Sequence, residues 1–183
     1  MRSLIMWNLV TLDGCFEGPR QWELDFHHWV LGPEFEELAI QQLRVADRLL
    51  FGRVTYLGMA AYWTSASGEV AKLMNRLPKV VFSRSLGRAD WNNTELVSGE
   101  AGDAVARLKS SGDGQMYVFG SARLSQSLTE RGLFDEYRLL LAPGLLGSGT
   151  PLFKVPSRPL RLNLAESRAM NSGAVLLRYV PAA

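Results

Sequence analysis

The chain has 183 residues, 47% apolar and 21% charged, which suits one folded domain over residues 1–183 and excludes disorder or collagen-like order as its main state. A net charge of +2 is too small to argue for nucleic acid or an anionic membrane, and two histidines with one cysteine cannot build a His/Cys zinc site of the usual spacing. Cys15 has no partner for an internal disulfide, which fits a reducing, cytoplasmic setting.

Residues 4–10 form an apolar run that reads as a buried strand, ended by Asp13-Gly14. The run is too short for a secretion signal, and no stretch reaches the length of a membrane span, so the chain reads as soluble and cytoplasmic. Gly18-Pro19 marks a loop, and the aromatic-rich segment 22–29 extends it. Pro33 opens a helix, with Glu34, Glu36 and Glu37 near its positive end and an apolar stripe through Phe35, Leu38, Ala39, Leu43 and Ala46. Strands are expected at 47–51, 79–82, 95–98, 116–119 and 137–142, and helices at 54–61, 69–76, 101–108 and 122–130. Ser121 is the expected N-cap of the last helix and Gly132 its stop. Residues 160–166 and 175–180 form a closing hairpin about the turn 170–173.

Strands alternating with helices predict a three-layer α/β/α domain with a mainly parallel central sheet and an antiparallel C-terminal hairpin. Ligands in such folds sit beyond the carboxyl ends of the strands. Three of the four strand ends that carry candidate groups join small or hydroxyl residues to an arginine: Gly52-Arg53-Val54-Thr55, Ser83-Arg84 and Gly120-Ser121-Ala122-Arg123. Glycine admits close approach of backbone N–H groups to a phosphate, a helix start adds partial positive charge, and arginine adds a forked cationic donor. Each piece alone also reads as a turn with a solvated charge; together on one edge they point to a ligand with several phosphates. Neither a P-loop, nor G-x-G-x-x-G, nor G-x-S-x-G is present.

In their order along the chain, Thr11-Leu12-Asp13-Gly14, Phe51-Gly52-Arg53-Val54-Thr55-Tyr56, Val81-Phe82-Ser83-Arg84, Val118-Phe119-Gly120-Ser121 and Pro143-Gly144-Leu145-Leu146-Gly147-Ser148-Gly149-Thr150 resemble the dihydrofolate reductase-like superfamily. The last of these is most similar to the reductase domain of riboflavin biosynthesis (the C-terminal domain of RibD) and its stand-alone bacterial relatives. The resemblance implies a dihydrofolate reductase-like fold, NADPH as hydride donor, and a pyrimidine- or pteridine-like substrate. The signature of the zinc deaminase domain that often accompanies this reductase is absent. The resemblance assigns cofactor contacts to Thr11, Gly52, Arg53, Thr55, Ser83, Arg84, Gly120, Ser121, Ala122, Arg123 and Leu124. Of these, Ser83 and Arg84 fall where the 2′-phosphate is met. Ser121 departs from the family's Gly-Gly pair, which carries an unusual peptide bond.

Reduction of a C=N bond also needs a proton. Glu36, in the first helical turn, is placed for that role by the resemblance, with Asp13 bordering the nicotinamide and Asp25 as a rival. Glu36 also reads as a plain first-turn acid, and Asp13 as part of an Asp-Gly turn. Trp22 and Trp63 are candidates for stacking on a flat heterocycle, or for plain packing. Five tryptophans and the resemblance admit a homodimer. A nucleotide-binding, non-catalytic dimeric module of the same fold is the alternative reading.

Overall fold

The opening apolar run becomes strand β1 (Ser3–Thr11), buried at every position after the first. It is buried on both faces because it is central. A computed structural model, describing residues 1–153 and 159–182, places it inside an eight-stranded sheet of order β5-β4-β3-β6-β1-β7-β10-β9. The other strands of this sheet are β3 (Ala46–Gly52), β4 (Lys79–Phe82), β5 (Thr94–Val97), β6 (Gln115–Phe119), β7 (Glu136–Ala142), β9 (Leu162–Ala169) and β10 (Val175–Pro181). Pairing from β5 through β7 is parallel, and β10 then runs antiparallel to both β7 and β9. A separate two-stranded piece joins β2 (Cys15–Glu17) to β8 (Thr150–Pro151).

Alternation along β1 builds two cores. Ile5, Trp7 and Leu9 face α1 (Pro33–Val45), α2 (Arg53–Trp63) and α3 (Glu69–Arg76), through Leu38, Leu43, Tyr56, Leu73 and Met74. Leu4, Met6 and Val10 face α4 (Ala101–Ser110) and α5 (Ala122–Glu130), through Ala104, Val105, Leu124 and Leu128. The result is the expected three-layer α/β/α architecture. Helix α5 ends as anticipated at Gly132 (φ 63°): Gly132 N–H donates to the Thr129 carbonyl and Leu133 N–H to that of Leu128.

Boundaries differ in places. The helix expected over 54–61 runs from Arg53 to Trp63. The hairpin strand expected at 160–166 begins at Leu162 and extends to Ala169, because β10 holds it in register through Val175↔Ala169. The segment read as loop contains β2 and a 3-10 helix, Asp25–Trp29, both too short for a periodic signal. Among the described residues, two cations lie inside. Lys79 is 1% exposed and gives its ammonium protons to the Asn75 and Leu77 carbonyls beneath the Trp91 ring. Buried Arg138 is neutralised by Glu136 and hydrogen-bonded to Gln42 and Tyr117.

No helix among the described residues is long and apolar enough to cross a membrane. No group of three or more His, Cys, Asp or Glu side chains suited to a metal ion occurs among them.

Candidate active site

Parallel pairing puts the carboxyl ends of β1, β3, β4, β6 and β7 along one edge of the sheet. At the ends of β3 and β6 two helix starts interlock. The Ser121 hydroxyl accepts the Gly52 N–H at 3.0 Å, and the Thr55 hydroxyl accepts the Ser121 N–H at 3.1 Å. Ser121 therefore does not cap α5 as expected. Its backbone is left-handed (φ 56°, ψ 51°), whereas a capping side chain needs an extended residue, and its oxygen turns to the neighbouring strand end. Gly120 is left-handed too (φ 56°), and a Cβ there would lie 3.2 Å from Thr55 Cγ2. No peptide bond among the described residues is cis.

Neither α2 nor α5 has a side-chain cap. The first-turn N–H groups of both helices thus keep their donors, and the partial positive ends of both dipoles meet at one place. Arg53 and Arg123 are exposed beside them, whereas Thr55, Ser121 and Leu124 are buried and fix the junction. This arrangement has the chemistry of an anion cradle.

The end of β4 is built differently. The Ser83 hydroxyl accepts the N–H groups of Ser85 and Leu86, closing its own turn. Arg84 is ion-paired with Glu100, and both side chains are largely exposed. A phosphate there must displace a carboxylate.

The candidate carboxylates also part company. Asp13 accepts hydrogen bonds from the Thr11 hydroxyl and from the N–H groups of Leu146 (3.3 Å) and Gly147 (2.7 Å). Its hydrogen bonds to Thr11 and Gly147 hold its carboxyl below the usual range. At neutral pH Asp13 is therefore an acceptor with no proton to give, and it ties the end of β1 to the loop after β7. Thr11, wholly buried, spends its hydroxyl on Asp13 and on the backbone of Cys15. Glu36 is exposed on the first turn of α1, although it stands two turns before the buried Leu43 on the same face of the helix. Its neighbour Glu34 accepts the N–H of Asn171 in the β9–β10 turn, which brings the start of α1 to the same sheet edge. Asp25 is exposed at the start of the 3-10 helix.

The aromatic candidates separate in the same way. Trp63 ends α2, about 15 Å along the helix from Arg53, and packs on the core face with Met59 and Ala60. It belongs to the α2–α3 junction, where its carbonyl accepts from Asn75. Trp22, by contrast, lies on the flank of α2 against Gly58. In the 3-10 helix that follows, burial depresses His27, edge-on to Phe26, to about 4, so that ring is neutral at pH 7.

A profile of the RibD C-terminal domain matches residues 2–176. The chain belongs to the RibD C-terminal domain family. Among its relatives is the Bacillus subtilis (strain 168) protein YyaP, described as uncharacterized, 29% identical over 183 residues, covering 97% of this chain and 94% of YyaP. Among solved structures, a Shewanella sp. PV-4 protein described as a riboflavin biosynthesis protein superposes with a TM-score of 0.81 at 24% identity, over 99% of each chain. Dihydrofolate reductase from Enterococcus faecalis, solved with NADP(H), superposes with a TM-score of 0.64 at 10% identity, covering 99% of this chain and 97% of that one. At these identities the superpositions establish the fold.

Within this RibD C-terminal domain, two residues carry no motif and escape sequence reading. Glu100 is the partner that occupies Arg84. Gly58 is the notch beneath Trp22; its only trace in the sequence is an isolated glycine inside a helical pattern.

Proposed function

We propose that this protein is an oxidoreductase that binds NADPH across the carboxyl edge of the sheet and reduces a pyrimidine- or pteridine-like substrate. The observation that carries the reading is the interlocked pair of uncapped helix starts at Gly52–Thr55 and Gly120–Leu124. Unspent N–H donors, two converging dipole ends and flanking Arg53 and Arg123 fit a pyrophosphate. When bound, the dinucleotide supplies the hydride. The chain's own residues orient it: Thr55 and Ser121 fix the cradle, and Arg84 meets the 2′-phosphate once released from Glu100. Membership of the RibD C-terminal domain family, and the likeness to a dihydrofolate reductase solved with NADP(H), support the reading.

The proton is delivered at the open edge. Both Asp13 oxygens are taken by donors of the protein, so the role falls to a water held by the exposed Glu36, with Asp25 as its rival. Glu36→Gln should lower kcat by tenfold or more with NADPH affinity little changed, since one acid–base group typically contributes about 10²–10⁴-fold. The deciding experiment follows NADPH consumption with pyrimidine and pteridine substrates alongside a thermal-shift titration with NADPH. Turnover supports the reductase, and no thermal shift at millimolar NADPH removes the cofactor site. Binding without turnover supports a nucleotide-binding module, which the lack of a buried protonatable carboxylate among the described strand-end residues favours as second reading.

We also propose that two copies associate through the α5-side face of β7, β10 and β9. Leu139, Leu141 and Tyr179 there reach only the rim of the core, and Leu164 is 54% exposed. Sedimentation of a dimer that dissociates on Leu164→Glu checks this; a monomeric wild type overturns it.

A further inference from the structure

Trp22 and Gly58 fit together in a way that the motifs do not account for. A Cβ built on Gly58 would lie 1.9 Å from Trp22 Cζ2 and 2.1 Å from Cε2, closer than any side chain can approach. Any residue but glycine at 58 therefore lifts the indole off the helix. Trp22 is also held at φ 67°, a left-handed conformation disfavoured for a residue with a Cβ. Its backbone N–H donates to Glu17 Oε2 at 2.8 Å, while Glu17 Oε1 accepts the Thr150 hydroxyl at 3.3 Å. The chain on either side is drawn into a tight return, with the Gly18 N–H donating to the Glu23 carbonyl and Arg20 paired with Glu23. A glycine in a helix interior, a left-handed tryptophan and a shared carboxylate all serve one placement of one ring.

That placement lies along α2 from the candidate site. Gly58 stands three residues after Thr55, so the two are neighbours along one strip of α2. Thr55 reaches Ser121 at the helix-start junction. Met59, Ala60 and Trp63 occupy the core side of α2. The indole lies about 7.5 Å along the helix from Arg53, the span of one and a half turns. That distance is within the reach of a nucleotide whose phosphates rest at the start of α2.

We infer that Gly58 and Glu17 are positioning residues that seat Trp22 as the aromatic wall of the ligand cleft. The notch lets the indole lie flush on α2, and Glu17 latches the strap that carries it to the loop after β7. The wall presents a flat apolar surface to the heterocyclic end of the ligand, about one and a half helical turns from the phosphate cradle. This inference rests on the reading of the α2 and α5 starts as an NADPH phosphate site, and NADPH is the probe that tests it.

The first measurement is independent of any ligand. Alanine favours helix over glycine, so Gly58→Ala should raise the melting temperature wherever the notch is empty. The expected result is a sign reversal: Gly58→Ala lowers Tm and red-shifts tryptophan emission in the wild-type background, but raises Tm in the Trp22→Ala background. A rise in both backgrounds overturns the notch, and the double variant keeps the test open if Gly58→Ala alone does not fold. The second measurement is quenching of tryptophan emission at saturating NADPH. Trp22→Phe should remove the largest single share of the quenching among the five tryptophans, and Glu17→Gln should cut that share by about half or more through loss of the latch. Quenching unchanged in Trp22→Phe overturns the wall. A wild type whose melting temperature NADPH does not raise means that the cofactor reading itself has failed; a raised melting temperature with Trp22-independent quenching means that only the wall has failed.

Discussion

The ends of β3 and β6 and the end of β4 are made from the same kinds of residue, yet the fold uses them in opposite ways. At Gly52–Thr55 and Gly120–Arg123, the hydroxyls are spent on joining two helix starts, which leaves the backbone donors of both helices free. At Ser83–Arg84 no helix follows the strand. The hydroxyl closes its own turn, and the arginine takes a carboxylate from Glu100 at the start of α4. A small residue beside an arginine therefore marks an anion cradle only where a second element converges on it. Elsewhere the same pair satisfies itself.

The comparison can be broken at its strongest point first. Gly120→Val places a β-branched side chain at φ 56° and 3.2 Å from Thr55 Cγ2. The left-handed conformation alone costs about 1–2 kcal/mol for a residue with a Cβ. The expected outcome is a fall in unfolding free energy of about 2–3 kcal/mol in urea, with at least tenfold weaker NADPH binding by calorimetry. Thr55→Val is more selective. It keeps shape but strands the buried Ser121 N–H, for an expected loss of about 1–3 kcal/mol. If NADPH binding survives that loss intact, the junction supports the fold but not a ligand.

The β4 end should respond more weakly and in the opposite sense. Removing the competing carboxylate by Glu100→Gln should strengthen NADPH binding about two- to fivefold with NADH unchanged, since an exposed ion pair is worth about 0–1 kcal/mol. Arg84→Ala should cost NADPH more than NADH, and an equal loss would remove Arg84 from the 2′-phosphate role. Competition binding with both cofactors measures each.

A pH series sharpens the role of the aromatic segment. His27 titrates near 4 in the folded protein, because burial opposes its charge, against an ordinary value of 6.5. Between these values the unfolded chain binds the extra proton, so stability is complete above pH 6.5 and falls as the pH drops toward 4. The loss is bounded by about 3 kcal/mol and reduced by the partly exposed edge of the ring. Urea melts of wild type and His27→Asn from pH 4 to 7 should show that slope in the wild type and a flatter one in the variant.

Much of this molecule is legible residue by residue. The continuous apolar run at residues 4–10 dictates a central strand, because only burial on both faces tolerates it. Pro33 with its acidic first turn, and Gly132 past the end of α5, mark helix boundaries through local backbone chemistry. The strand-end glycines and arginines identify the edge that bears the candidate site. Glu36 and Trp63 were harder to place from periodicity. A helical stripe says which residues share a face but not where the rim of the core lies; the structure leaves Glu36 outside that rim and Trp63 inside it.

What the sequence determined alone is local: the order of strands and helices, the glycine positions, and the absence of zinc-binding and nucleophilic motifs. These follow from dihedral preference, hydrophobic period and residue inventory, none of which needs a distant partner. Tertiary structure decided which polar groups were already taken. The Asp13 carboxylate is claimed by Gly147, the Arg84 guanidinium by Glu100, the Ser121 hydroxyl by Gly52 and the Gly58 notch by Trp22. Each of those claims joins residues well separated in the chain, so no local pattern announces it.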